Sequence, residues 1–274
     1  MNEDYYQTNA IYEYIEKNKL PGYTLAKENI WLMVYGDPES IPRLLLVISA
    51  VPEERYENMD ITPRERGVME LAARFAGKTR LEYRVVRYCR DWPLDKVQYM
   101  EYPSRHAVIG INALKQLFER NGVKGDPLPG GDETSKELND RPASAFHIWQ
   151  RKNLGNITAS DIDLIAWKNR KPARIYELKR SYIALEKWQP YAQDFANFRL
   201  IARFAKKIGA DFQIVYNRRT KNPYFDDIRR LKRFAFFPEE GGRNISTPSR
   251  WAIFSEEHRW TGCKCVRSEK QKKI

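Results

Sequence analysis

The chain has 274 residues, of which 42% are hydrophobic and 13% aromatic, so it can bury a core as one large domain or as two smaller ones. Its formal net charge of +12 favours a negatively charged partner. Three cysteines (Cys89, Cys263 and Cys265) are too few for a disulfide framework, and the longest apolar runs are too short to span a bilayer. We therefore expect a cytoplasmic protein with reduced thiols, no signal peptide and no membrane attachment.

Residues 1–130 are predicted to form a mixed α/β unit. Periodicity predicts helices at 5–17, 63–76 and 111–121, and strands at 30–35, 43–49 and 81–88, of which the first two are joined as a hairpin. A segment rich in Gly, Pro and Asp at 125–132 marks a boundary, so residues 131–274 are predicted to be a second domain. The first domain is interpreted as a module for target recognition, dimerisation or partner binding.

The second domain begins with a predicted helix at 144–151, which Asn153 and Gly155 would end. Strands are predicted at 161–167, 174–181 and 211–216, with residues 154–158 as the only candidate for a strand before them. A strongly periodic helix is predicted at 188–207, with Pro190 in its first turn and Gly209 at its end.

Polar residues interrupt two of these apolar strands. Alternation along the second strand places Glu177 and Lys179 on one face and Leu178 on the other. If the strands pair, Asp163 converges with Glu177 and Lys179 at one edge of a sheet. Two carboxylates suit a divalent metal ion, with the Leu178 carbonyl as a further ligand, and the lysine can orient or deprotonate a water or offset negative charge.

These residues resemble the PD-(D/E)xK nuclease superfamily, which has a restriction-endonuclease-like fold. The resemblance implies an αβββαβ core with a central mixed sheet flanked by helices. It assigns Asp163 as the first acid, Glu177 as the second and Lys179 as the catalytic lysine, followed by a hydroxyl residue at Ser181. We prefer Asp163 to Asp161 because residues 164–166 continue the strand after it.

The chain departs from the family pattern in two places. Ile162 stands where the family has a proline, and no glutamate precedes the strand on the helix before it; His147 and Gln150 are the candidates for that place. Gln189 and Gln193 follow the lysine, but their spacing does not reproduce the Gln-x-x-x-Tyr motif of the exonuclease-like branches. Arg180 is a further candidate for contact with substrate.

The excess of basic residues lies after residue 136, whereas the first half is close to neutral. Basic side chains alternate with aromatic ones there, and a basic helix is predicted at 226–234. The candidate nucleic-acid-binding residues are Arg151, Arg218, Arg219, Lys221, Arg229, Arg230, Lys232 and Arg233.

The resemblance therefore implies a homodimeric, Mg²⁺-dependent endonuclease acting on DNA, of a restriction, defence or repair type, in which Mn²⁺ can substitute for Mg²⁺. Alternatives are a nucleic-acid-binding module with a vestigial site, an RNA-processing nuclease and an interaction protein. Other templates fit less well, because no phosphate-binding glycine pattern is present and His106, His147 and His258 are scattered. A zinc site at Cys263, Cys265 and His258 would have only three ligands.

Overall fold

The computed structural model describes residues 9–26, 28–101, 105–123, 141–155, 157–221, 224–236 and 252–253. The helices of this part are α1 (Ala10–Lys17), α2 (Glu53–Glu57), α3 (Pro63–Thr79), α4 (Ile111–Arg120), α5 (Arg141–Leu154) and α6 (Phe195–Ile208), with a 3₁₀ turn at Ala192–Asp194. The strands are β1 (Tyr23–Leu25), β2 (Ile30–Gly36), β3 (Pro42–Val51), β4 (Glu82–Cys89), β5 (Lys96–Glu101), β6 (Arg105–Gly110), β7 (Thr158–Asp161), β8 (Leu164–Lys168), β9 (Lys171–Ser181), β10 (Asp211–Lys221), β11 (Tyr224–Ala235) and β12 (Ala252–Ile253).

The strands form two mixed six-stranded sheets, which confirms the predicted α/β class. Sheet 1 has the order β1-β8-β9-β10-β11-β12, and sheet 2 has the order β6-β5-β4-β3-β2-β7. Each sheet contains one parallel pair, β9 with β10 and β3 with β4, while the other pairings are antiparallel. Helix α6 connects the first parallel pair, and α2 and α3 connect the second.

Each sheet takes one edge strand from the other half of the chain. Strand β1 pairs with β8 in sheet 1, and β7 pairs with β2 in sheet 2. The predicted strand at 161–167 is therefore wrong as a single element. It is divided into β7 and β8 at Ile162, which is buried and donates its N–H to the Leu32 carbonyl of sheet 2. The predicted boundary at 125–132 lies outside the described residues, and strands from its two sides share both sheets.

The apolar side chains arrange these elements in five layers. One core cluster joins one face of each sheet to α3 and α6, which lie between the sheets and contact each other through Phe75 and Phe204. A second cluster covers the other face of sheet 2 with α4 and α5, and a third covers the other face of sheet 1 with α1. Both sheets are consequently covered on both faces, as expected for sheets with long apolar strands.

Local signals explain where the two central helices begin and end. Pro63 occupies the first turn of α3, and the Thr62 hydroxyl accepts a hydrogen bond from the Glu65 N–H at 3.1 Å, an N-cap of the usual kind. Helix α6 ends at Gly209, which adopts a left-handed φ of 75°, as predicted. The apolar face predicted for α6 is confirmed, since Phe198 and Ile201 are both buried in the central core.

Besides the strand at 161–167, three predicted elements differ from the structure. The candidate strand at 154–158 overlaps β7 only at Thr158, because Leu154 still belongs to α5. The predicted helix at 188–207 begins only at Phe195, so residues 182–191 form a loop without regular structure. The predicted basic helix at 226–234 is wrong, because this segment belongs to β11, which pairs along β10. Pairing with a long neighbouring strand outweighs the local periodicity there. Strands β1, β5, β6 and β12 and helix α2 were not predicted, and residues 5–8 of the first predicted helix lie outside the described part.

None of the helices in the described part of the chain combines the length and the apolar composition needed to cross a membrane.

Candidate active site

The register of β8 and β9 brings the two predicted carboxylates together. Leu164 pairs with Tyr176, so Asp163, just before β8, lies opposite Glu177. The Asp163 Oδ2 atom accepts a hydrogen bond from the Leu178 N–H at 2.7 Å, which orients this carboxylate against β9. The predicted convergence of the two acids is therefore present at the edge where β8 begins.

Lys179 completes the cluster from the same face of β9. Its Nζ lies 2.8 Å from Glu177 Oε1 and 3.8 Å from Asp194 Oδ2. The ammonium also lies 5.6 Å from the centre of the Phe198 ring, at the start of α6. Because the Lys179 side chain keeps about a third of its surface exposed (32%), solvent reaches the cluster.

Burial and mutual repulsion disfavour the charged forms of both acids. Glu177 is only 8% exposed, and burial raises its pKa, with the charge of Asp161 adding to the shift and Lys179 opposing it. Burial also raises the pKa of Asp163 well above its usual value, and the charges of Asp161 and Glu177 raise it further. Two acids that repel each other in a partly buried site are typical of functional sites.

For Lys179, the neighbouring negative charges outweigh burial and favour the charged form. Burial by itself lowers the pKa of the ammonium, but Glu177 and then Asp194 and Asp163 outweigh burial, so the pKa lies above its usual value. Lys179 is therefore a stable cation at neutral pH. This favours a role in offsetting negative charge over a role as a proton acceptor.

The donor atoms suit a hard divalent cation. Among the described hydrogen bonds and ion pairs, none reaches Asp163 Oδ1 or Glu177 Oε2, so each carboxylate has one oxygen available. Carboxylate oxygens are the ligands that Mg²⁺ prefers, and a cation between them would relieve the repulsion that raises their pKa values. Within the described part of the chain, no group of three or more His, Cys, Asp or Glu residues is placed to hold a metal ion, so this site offers two side-chain carboxylates and would need backbone oxygen and water for the remaining positions.

Two residues of the site were not predicted. Asp194 lies in the 3₁₀ turn before α6 and is the second carboxylate near Lys179. Tyr12, on α1, donates its hydroxyl to the backbone carbonyl of Asp163 at 2.7 Å. An acid just before the helix that follows the lysine is a usable signal for Asp194, whereas nothing in the sequence near residue 12 points to Asp163.

The candidates on the preceding helix, His147 and Gln150, belong to α5, which packs on the outer face of sheet 2. Burial lowers the pKa of His147, although the charge of Asp161 opposes this, so His147 lies within electrostatic reach of Asp161. Gln150 accepts a hydrogen bond from the Tyr35 hydroxyl at 2.7 Å and is committed to the core of sheet 2. Asp161 ends β7 and adds negative charge to the site through its effect on Asp163 and Glu177.

Residues on either side of Lys179 have structural partners. Arg180, on the opposite face of β9, forms an ion pair with Asp226 at 2.8 Å. The Ser181 hydroxyl lies 2.9 Å from the Tyr216 hydroxyl and fixes the end of β9. Gln189 lies in the loop and Gln193 in the 3₁₀ turn, and both are exposed, so the prediction that they sit on one helix is wrong.

The candidate basic residues divide by exposure. Lys232 is only 2% exposed and donates to the Trp188 and Glu186 carbonyls at 2.6 and 3.2 Å, and the buried Arg219 pairs with Asp226 at 3.3 Å. Both cations are committed to the fold. The remaining candidates are the exposed Arg218, Arg229 and Arg230, the half-buried Arg151 and Arg233, and Lys221, whose side chain lies outside the described part.

Comparisons with known proteins give no family for this chain. No protein-family model matches it, and neither a curated protein nor a solved structure does. The resemblance to nucleases therefore depends on Asp163, Glu177 and Lys179 and on their geometry.

Proposed function

We propose that this protein is a Mg²⁺-dependent nuclease that hydrolyses phosphodiester bonds in DNA. The observation that carries the proposal is the cluster of Asp163, Glu177 and Lys179 on paired strands, in which Lys179 lies 2.8 Å from Glu177 and Asp163 is held on the Leu178 N–H. Such a set meets the needs of phosphodiester hydrolysis: a place for a divalent cation, and a fixed positive charge beside it.

Asp163 and Glu177 would hold the cation through their carboxylates, with the Leu178 carbonyl as a further ligand and water in the remaining positions. When bound, Mg²⁺ or Mn²⁺ supplies a water of lowered pKa and neutralises charge on the phosphate oxygens. Lys179 remains protonated and stabilises the negative charge that develops on the phosphate. Asp194 and Glu177 keep the ammonium at this place between turnovers.

The connections around the site support the same proposal. Strands β8 and β9, helix α6 and strand β10 follow one another with an antiparallel and then a parallel pairing, as in the family's αβββαβ core. The strand that would open this core, β7, lies in sheet 2, and β1 pairs with β8 in its place. In this proposal the core is restriction-endonuclease-like, with one strand exchanged.

Nucleic acid is the proposed substrate because exposed cations continue from the site along the next strands. Arg218 on β10 is paired in register with Ser181, and Arg229 and Arg230 are exposed on β11. Phosphate contacts of this kind dominate affinity for nucleic acids. A homodimer remains our expectation for cleavage of both DNA strands, since each chain carries one such cluster in its described part.

The test is cleavage of supercoiled plasmid with Mg²⁺, with Mn²⁺ and with EDTA. We expect cleavage only with a divalent cation, and a fall of roughly 10²- to 10⁴-fold in rate for Lys179→Ala and for Glu177→Gln. Lys115→Ala is the matched control, because Lys115 is exposed on α4 and lies 4.0 Å from Glu119 in an ordinary surface pair. Its rate should equal that of the wild type.

Circular dichroism and thermal denaturation of each variant separate loss of chemistry from loss of fold. Structured and single-stranded RNA are assayed in parallel. Cleavage of RNA alone would replace DNA as the substrate, and absence of metal-dependent cleavage in the folded wild type on every substrate would refute the proposed activity in favour of a binding module.

A further inference from the structure

The loop of residues 182–194, here called the β9–α6 loop, has both of its ends close to Lys179, the proposed catalytic lysine. It starts three residues after Lys179, directly beyond Ser181 at the end of β9. It finishes at Asp194, whose Oδ2 lies 3.8 Å from Lys179 Nζ. Whatever occupies the active site therefore lies next to this loop.

Hydrogen bonds from two neighbouring strands fix the backbone of the loop. The Tyr216 hydroxyl donates to the Ile183 carbonyl at 2.6 Å. The ammonium of Lys232, almost fully buried, donates to the carbonyls of Glu186 and Trp188 at 3.2 and 2.6 Å. These bonds hold the loop at its start and at its middle.

A buried aromatic stack adds to these bonds. The Trp188 ring lies parallel to the Tyr216 ring with 4.2 Å between centroids, and it meets Phe234 edge-on at 5.4 Å. Trp188 is only 2% exposed. The loop is thus anchored to the core by its central side chain, and its other side chains are presented on a fixed support.

Three large apolar side chains of this anchored loop remain on the surface. Tyr182 is 40% exposed, Ile183 38% and Tyr191 45%. Tyr191 is held edge-on against Trp188 at 6.3 Å, and the Arg219 guanidinium lies 5.9 Å from the Tyr182 ring. Single exposed apolar residues are common on protein surfaces, but three on one rigid loop beside a reactive site indicate contact with a ligand.

We propose that Tyr182, Ile183 and Tyr191 form a stacking surface for unpaired bases, so that the preferred substrate is single-stranded or locally unpaired nucleic acid. This inference depends on the proposed nuclease function and adds a substrate class to it. Bases in a duplex are stacked on each other, whereas unpaired bases present their faces to aromatic side chains. Rigid aromatic rings beside a phosphate-binding site are the usual means of holding such bases.

Charge favours nucleic acid over a protein as the occupant of this surface. The exposed Arg218 is paired in register with Ser181 at the base of the loop, and Lys187 is exposed within it, whereas Arg230 forms an ion pair with Glu186 of the loop at 3.3 Å. Cations that alternate with aromatic rings match a backbone of phosphates that carries flat bases.

The test measures binding without catalysis. Fluorescence anisotropy in EDTA compares a labelled single-stranded oligonucleotide with its duplex form, using wild type, Tyr182→Ala and Tyr191→Ala. We expect tighter binding of the single strand by the wild type, and roughly 5- to 150-fold weaker binding of it for each tyrosine variant, with a smaller change for the duplex. Val108→Ala is the control, since Val108 is 57% exposed on β6 of sheet 2, outside both the loop and the basic strands, and should bind like the wild type.

Equal affinity of the wild type for both oligonucleotides, or unchanged single-strand affinity in both tyrosine variants, would overturn the inference. A fall in molecular mass of the variants in light scattering, with unchanged affinity, would also overturn it by assigning the surface to self-association. Because binding is measured in EDTA, the result is independent of cleavage. An active enzyme that does not prefer single strands would contradict only this inference. An inactive protein that does prefer single strands would contradict only the proposed catalysis.

Discussion

The two sheets contain the same succession of paired strands and a central helix, but their charged residues are balanced in sheet 2 and unbalanced in sheet 1. In sheet 2, β2, β3, α3, β4 and β5 follow one another with antiparallel, parallel and antiparallel pairings, with the short helix α2 before α3. In sheet 1, β8, β9, α6, β10 and β11 have the same pairings. In both, an acid at the start of the central helix, Glu65 or Asp194, contacts a basic residue on a strand.

The polar network of sheet 2 is closed. Arg87 and Glu65 are fully buried, with Arg87 Nε 2.6 Å from Glu65 Oε1, and Arg55 reaches the second Glu65 oxygen at 3.1 Å. Arg87 also donates to Gln98 at 2.5 Å and to the Asp60 carbonyl at 2.6 Å. Each oxygen of the Glu65 carboxylate thus has a guanidinium partner, which compensates the cost of burying its charge.

The cluster of sheet 1 is open and unbalanced. Among the described residues, Glu177 and Asp194 both pair with the Lys179 ammonium, which also lies within electrostatic reach of Asp163, and the pKa values of Asp163 and Glu177 are raised. A surplus of negative charge does not stabilise a fold, so it persists where function requires it. The comparison teaches that the same succession of elements supports a balanced ion network in one half and an unbalanced cluster of acids in the other, which we propose to be a reactive site.

The largest expected effect is a loss of stability when a substitution removes part of the ion network of sheet 2. Arg87→Ala leaves Glu65 buried with one partner fewer, and we expect the free energy of unfolding to fall by about 3–5 kcal/mol. Urea denaturation measures this. Arg66→Ala, an exposed arginine on the same helix as Glu65, should change it by no more than about 0.5 kcal/mol. A loss below about 1 kcal/mol for Arg87→Ala would contradict a structural role for the network.

Removing a charge from the acidic cluster of sheet 1 should instead raise the free energy of unfolding. Asp163→Asn removes a charge whose folded-state pKa is raised, while the amide oxygen can still accept from the Leu178 N–H. At neutral pH in EDTA we expect this variant to be more stable than the wild type by about 0.5–2 kcal/mol, and inactive.

The pH dependence follows from the same shift. A carboxyl group whose pKa is higher in the folded protein contributes stability below its unfolded pKa and loses it as pH rises through the folded value. The advantage of Asp163→Asn should therefore grow as pH rises from about 4, the ordinary range of aspartate. A variant that is less stable than the wild type at pH 7 would contradict the prediction.

Asp227 offers a control of opposite sign on the same sheet. Burial alone would raise the pKa of Asp227, but hydrogen bonds from Arg229 lower it overall. Asp227→Asn should therefore lose stability at neutral pH, by less than about 1 kcal/mol because the pair lies near the surface.

A small effect on stability is also expected where α1 supports the site through Tyr12. Tyr12→Phe removes the hydroxyl that donates to the Asp163 carbonyl and should lower the free energy of unfolding by about 0.5–1.5 kcal/mol. The rate of plasmid cleavage should fall more for Tyr12→Phe than stability alone explains, because Asp163 loses a fixed backbone position. Unchanged cleavage in this variant would limit Tyr12 to packing.

The local sequence pattern was sufficient to predict that the two acids and the lysine at the centre of the site lie close together. Alternation along residues 174–181 placed Glu177 and Lys179 on one face, and the short distance in sequence to residue 163 made the pairing of two neighbouring strands the simplest arrangement. Asp194 and Tyr12 were missed because their contacts with Lys179 and Asp163 depend on a loop conformation and on the docking of α1, which no spacing encodes. The basic run at 226–234 was predicted as a helix, but it lies in β11, because pairing with β10 depends on a segment that the local pattern does not identify.

The sequence by itself determined the strands and helices with strong periodicity, the positions of the two acids and the lysine, and the basic character of the second half, since these follow from side-chain chemistry and the geometry of neighbouring residues. Only the tertiary structure decided that β1 and β7 exchange sheets, that Lys232 is buried under the β9–α6 loop, and that the carboxylates outnumber the cations around Lys179. These features depend on which distant segments pair and pack, and such partners compete through burial of apolar surface over the whole chain.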